Sequence, residues 1–188
     1  KIAWYENDGS QSFATHVIST NFDNPRSVFA ADVDGDGDMD VLSASQRDDT
    51  IAWYENDGSQ NFTAHTISSD VTSAWSVFAA DVDGDGDLDV LSTSNTAAPA
   101  EIAWYENDGS QGFTARTITT AVGRPRSVFA ADVDGDGYLD VLSASTDDDK
   151  IAWYKNVGFD FGDAPLPYPV TRAENGAEHV ATGPTLGA

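Results

Sequence analysis

The chain has 188 residues, with 32 acidic side chains against 9 basic ones and a formal net charge of −23. So few Lys and Arg cannot form the basic clusters that nucleic acid or an anionic membrane surface requires, and neither is an expected partner. Without cysteine there is neither a disulfide framework nor a thiolate metal site, and no apolar run approaches the ~20 residues of a membrane-inserted helix.

In chain order the first element is IAWYENDGSQ at Ile2–Gln11, which returns unaltered at Ile51–Gln60 and Ile102–Gln111 and as IAWYKNVG at Ile151–Gly158. Trp4, Trp53, Trp104 and Trp153 are 49, 51 and 49 residues apart, so one unit of about 50 residues is duplicated in tandem. The small insertions fall near Asn95–Ala100. The units lie near 1–24, 25–73, 74–124 and 125–158, followed by a different segment at 159–188. Lys1 lies inside a repeat and is not Met, which suggests a processed or partial chain.

Each complete unit reads as four short strands. From Pro25 they are RSVFAADV, then MDVLSAS, TIAWYEN and NFTAHTIS, separated by an Asp-rich loop, the polar turn Gln46–Asp49 and a DGSQ turn. The first three strands carry apolar residues on both faces, as Val28 and Ala30 against Phe29 and Ala31 do. Strands of that kind lie in a sheet stacked between two others. The fourth is more polar and is expected at the outer edge. The pattern predicts an all-β chain, a partial β-propeller of four-stranded antiparallel blades.

The Asp-rich loop is written three times: DVDGDGDMD at Asp32–Asp40, DVDGDGDLD at Asp81–Asp89 and DVDGDGYLD at Asp132–Asp140. Carboxylates at alternating positions converge only where the backbone curls tightly, which the glycines permit. Two carboxylates about 4 Å apart repel by roughly 4 kcal/mol at an effective dielectric near 20, so several converging in one loop call for a cation. A hard divalent ion with six to eight oxygen ligands fits, and Ca²⁺ fits better than Mg²⁺. The expected ligands are Asp32, Asp34, Asp36 and Asp40 with the backbone carbonyl of Asp38. The second set is Asp81, Asp83, Asp85 and Asp89 with Asp87. The third is Asp132, Asp134, Asp136 and Asp140 with Tyr138, whose presence where Asp stands elsewhere points to the main chain as donor at this position. Three Ca²⁺ sites result. Position 12 is not Glu and strands flank the loop, which argues against an EF-hand.

No catalytic constellation emerges: GxSxG, HExxH and a phosphate-cradling loop followed by Lys are all absent, and an enzyme is not expected. His16 and His65 occupy equivalent positions where the third unit has Arg116, which reads as a solvent-facing strand position. The recurrent Trp residues read as core. Trp75 breaks the repeat, standing where the other units have Arg26 and Arg126; it reads first as a local packing substitution and second as the candidate to stack on a sugar.

SVFAADV, the DxDGDGxxD loop, DVLSAS and IAWYENDG together resemble the FG-GAP/VCBS repeats of integrin-α-like propellers. The resemblance covers residues 1 to about 158 and implies that each Asp loop joins the first two strands of a blade and binds Ca²⁺. The count then comes to about 3.25 blades, short of the four to eight that close a ring. Either the chain is a piece of a longer one, or copies complete one another by strand or blade exchange into a ring or fibre. The implied setting is secreted or cell-surface, in bacteria. The implied role is structural or adhesive, with glycans or surface proteins as further partners. The alternatives are a carbohydrate-binding propeller and an accessory domain of a secreted polysaccharide-acting enzyme. Residues 159–188 hold four of the seven prolines, and DFGDAP with a Tyr-Pro pair resembles the start of a GEVED-type domain.

Overall fold

Alternating apolar residues, β-branched and aromatic side chains and Asp-Gly or Asn-Asp punctuation favour strands over helices in the repeats, and strands form there. The computed structural model describes residues 1–97 and 99–158, and no helix occurs among them. The segment resembling a GEVED-type domain lies outside the described residues.

Thirteen strands form four antiparallel sheets. β1 (Ile2–Asn7) pairs with β2 (Phe13–Ser19) alone. The second sheet runs β3 (Pro25–Ala31), β4 (Asp40–Ser45), β5 (Thr50–Asn56) and β6 (Phe62–Ser68) in sequence order. The third runs β7 (Ala74–Ala80), β8 (Asp89–Ser94), β9 (Glu101–Asn107) and β10 (Phe113–Thr119). The fourth holds β11 (Pro125–Ala131), β12 (Asp140–Ser145) and β13 (Lys150–Tyr154). Register repeats between units: Leu42 faces Trp53, Leu91 faces Trp104 and Leu142 faces Trp153. The compact unit spans Lys1–Tyr154.

The two-faced strands do what their pattern requires. In the third sheet Val77, Ala79, Val90, Ala103 and Tyr105 pack toward the second sheet, meeting Leu42, Ala44, Ile51 and Trp53. On the other face Ala80, Leu91 and Ile102 meet Val128, Ala130 and Val141 of the fourth. Fully burying each large aliphatic or aromatic side chain contributes about 1.5–3 kcal/mol, so these two layers carry the fold. The fourth strands, β6 and β10, are largely exposed.

The first strands β3, β7 and β11 lie side by side across the three sheets. Phe78 sits between Phe29 and Phe129, with ring centroids 4.6 and 4.5 Å apart. Val77 N–H donates to Ser27 Oγ and Val128 N–H to Ser76 Oγ. The repeated Trp depart from a uniform core role. Trp53 is 1% exposed, Trp4 and Trp104 are half-buried, and Trp153 is 47% exposed. Trp153 stands on β13, which has no fourth-strand partner among the described residues, whereas β6 lies beside Trp53.

Candidate metal centres

Each acidic loop joins the first and second strands of a four- or three-stranded sheet: Asp32 follows β3 and Asp40 opens β4, and the other two copies match. The curl is built from Asp-to-backbone hydrogen bonds. Asp32 accepts from Gly35 N–H and Gly37 N–H at 2.9 and 3.0 Å, Asp34 from Asp36 N–H at 3.2 Å, and Asp36 from Asp38 N–H at 2.9 Å. Asp81 and Asp132 hold their loops in the same way. Gly37, Gly86 and Gly137 have φ of 97°, 105° and 93°, a conformation closed to side chains with a Cβ.

This winding brings together carboxylate oxygens of Asp32, Asp34 and Asp36, of Asp81, Asp83 and Asp85, and of Asp132, Asp134 and Asp136. In each trio one oxygen per residue lies within 4.8 Å of the other two. The donors are all hard oxygen, the set that suits Ca²⁺, Mg²⁺ or Mn²⁺ and not a thiolate- or imidazole-seeking metal.

The remaining two positions behave differently. Asp40, Asp89 and Asp140 are fully buried. Asp40 accepts from Val33 N–H at 2.9 Å and from Asn56 N–H at 2.8 Å, one bond to each carboxylate oxygen. Asp89 does the same with Val82 and Asn107, and Asp140 accepts from Val133 N–H. The ninth residue therefore clamps the loop's start to the third strand in the first two loops, where both of its oxygens are engaged. At position 7 the Asp38 carboxylate lies against Gly58 of the β5–β6 turn, and Asp87 lies against Gly109. A Cβ on Gly58 would stand 2.5 Å from Asp38 Oδ2 and would force that carboxylate aside, and the φ of 73° there also favours glycine.

The electrostatics show the strain of gathered charge. Burial pushes Asp83 and Asp89 up to about 6, with neighbouring carboxylates adding to the rise. Asp34 and Asp40 are raised for the same first reason. Glu55 acts on Asp34 and Glu106 on Asp83, so the third strand adds a carboxylate near two of the loops.

Those two Glu residues, and Asn56 and Asn107, are what sequence reasoning missed. Asn56 Nδ2 donates to Met39 O, while Asn107 Nδ2 donates to Leu88 O and across to Val33 O in the preceding loop. The signal was present, because this Asn recurs in all four copies of the IAWY segment. The His expectation also changes. His16 stacks on Trp4 and His65 on Trp53, the residues opposite them, with centroids 4.3 and 4.7 Å apart, and each pairs with the diagonal Glu, Glu6 or Glu55. Arg116 takes over with Trp104 and Glu106. These are cross-strand clamps.

Trp75 carries a guanidinium from each neighbouring sheet, Arg26 at 4.4 Å and Arg126 at 4.2 Å from the ring centroid. The positions over the indole that a stacking sugar would take are held by the protein's own cations.

Compared with known protein families, the chain matches the FG-GAP-like repeat over residues 1–43, 32–92 and 81–143. The chain belongs to the FG-GAP-like repeat family. The second and third matches each run from one acidic loop past the next, so the FG-GAP-like period and the structural period coincide. No curated protein matches the chain. The chain is thus built of FG-GAP-like repeats, and each of its three Asp triplets could hold a metal ion. No helix among the described residues is long and apolar enough to cross a membrane.

Proposed function

We propose that the chain is a set of calcium-stabilised β-propeller blades with a structural or adhesive role in an extracellular or cell-surface protein. The observation that carries this reading is the convergence of three carboxylates at the same point of three successive repeats. Asp32, Asp34 and Asp36, with their counterparts, supply the charge that holds the ion. The main-chain carbonyl of Asp38, Asp87 or Tyr138 and the carboxylate of Asp40, Asp89 or Asp140 complete the donor set. Bound Ca²⁺ supplies charge neutralisation and a cross-link between the first two strands of a blade. Four-stranded sheets packed through their first strands support the propeller architecture, with copies or further chain completing the ring.

Affinity in the range of about 10⁻⁴–10⁻³ M, that of extracellular modules, would suit an environment rich in calcium. Each site at 100-fold saturation would add about 2.7 kcal/mol to the folded state. The test is thermal unfolding with and without EDTA. A rise in melting temperature with Ca²⁺, saturating at millimolar levels and larger than with Mg²⁺, is expected. An identical melt in Ca²⁺ and in EDTA would overturn the reading.

A further inference from the structure

The turn between the second and third strands departs from the repeat in one place only. Residues 46–49 and 146–149 are four-residue acidic turns, whereas 95–100 is the uncharged six-residue turn NTAAPA. In the second and fourth sheets this turn is sealed to the segment entering the same sheet. Gln46 N–H donates to Asn24 O and Arg47 N–H to Asp23 O, while Thr146 N–H donates to Arg124 O and Asp147 N–H to Gly123 O. The ion pairs Arg47–Asp23 and Arg124–Asp147 close the same two seams.

In the third sheet only the first bond of the pair remains among the described residues, Asn95 N–H to Ser73 O at 3.0 Å. The longer turn then folds onto itself, Thr96 Oγ1 donating to Pro99 O, and no ion pair of the described residues bridges the seam. A recess of about 150 Å³ opens there. A closed cavity of about that size takes a benzene ring, so this open recess would receive one ring of a ligand whose remainder projects into solvent.

Asp70, Thr72, Pro99, Glu101, Tyr105 and Thr120 line it. No Lys or Arg lines the recess, so an anion would find no counter-charge. Its two carboxylates belong to none of the gathered acidic trios, which disfavours a multiply ligated cation. The Asp70 carboxylate, the second oxygen of Glu101 (whose Oε1 accepts from the Thr117 hydroxyl), hydroxyls that donate or accept, and the apolar edges of Pro99 and Val71 suit a ring bearing several hydroxyls and C–H faces. We propose that this recess binds one neutral sugar ring, as a free monosaccharide or as the end of a glycan. The site is independent of Trp75 and does not rest on the metal reading.

The experiment is saturation-transfer NMR of the Ca²⁺-loaded chain with a panel of free neutral hexoses, deoxyhexoses and N-acetylhexosamines, followed by oligosaccharides immobilised through their reducing ends. At least one monosaccharide should bind with a Kd of about millimolar. Replacing 95–100 with the four-residue turn of 46–49 should abolish that signal while the melting transition is retained. Asp70→Asn should weaken binding about tenfold, the usual consequence of losing one charged hydrogen-bond acceptor. Binding to the immobilised end as well as the free sugar would identify a glycan terminus, and binding to the free sugar alone a small-molecule ligand. Absence of binding across the panel would overturn the proposal. So would binding unchanged by the turn replacement, or a recess occupied by a divalent cation in preference to any sugar.

Discussion

Asp89 shows how one residue type does two jobs in this chain. Its neighbours at Asp81, Asp83 and Asp85 gather toward a common point, whereas Asp89 is buried and takes the Val82 and Asn107 N–H groups. Each buried donor left without a partner costs about 1–3 kcal/mol, so Asp89→Ala should lose about 2–5 kcal/mol. Asp89→Asn, which keeps one acceptor oxygen, should lose about half as much. Urea unfolding in EDTA measures this apart from any metal contribution, and a loss seen only with metal present would contradict the clamp. The pH dependence of the metal-free protein has a definite sign. Asp83 and Asp89 are raised to about 6, so between the ordinary carboxylate range and that value the folded state holds more protons than the unfolded one. The stability they permit is complete at low pH and falls as pH rises toward neutrality. The melting temperature of the EDTA-treated chain should therefore drop from pH 4 to pH 7, and the gain from added Ca²⁺ should grow over the same window. A metal-free melt that rises across it would contradict the raised values.

At the scale of elements, the register irregularities at the starts of β3, β7 and β11 fall at Arg26, Trp75 and Arg126. A bulge re-aims the side chain it carries, and here it accompanies a row in which an indole meets one guanidinium from each side. Cation–π contacts are worth about 0.5–2 kcal/mol each, so Trp75→Ala should cost about 1–4 kcal/mol in thermal or urea unfolding. Trp75→Phe should recover part of it, and a neutral Trp75→Ala would dissolve the clasp. Strand order, hairpin turns and acidic loops were legible in the sequence because they are set by neighbours within a few residues. Asp57 accepting from Ser59 N–H and Asn61 N–H makes the DGSQ turn locally, and the same happens at Asp8 and Asp108. The two guanidinium partners of Trp75 were not legible in the sequence because they stand about 50 residues away in other sheets. The reach of Asn107 to Val33 was hidden for the same reason.

Over the whole molecule, tandem units make stability nearly a sum of sheets and of the contacts between them. The third sheet, packed on both faces, holds more of the buried side chains than any other sheet, while Val28, Phe129 and Ile151 on the flanking sheets are 57%, 51% and 88% exposed. Three bound Ca²⁺ would bring the net charge of −23 to about −17, relieving repulsion that otherwise opposes compaction. The repeat made the number of acidic loops plain from the sequence. The division of labour inside each loop, three gathered carboxylates and one buried clamp, appeared only with the fold. Calorimetric titration of the metal-free chain with Ca²⁺ tests the central claim most directly. Three ions should bind per chain, and pairing Asp32→Asn with Asp34→Asn, or making the matching pair in either other loop, should remove one ion each time. Fewer than three ions in the intact chain, or a stoichiometry that ignores these substitutions, would contradict it.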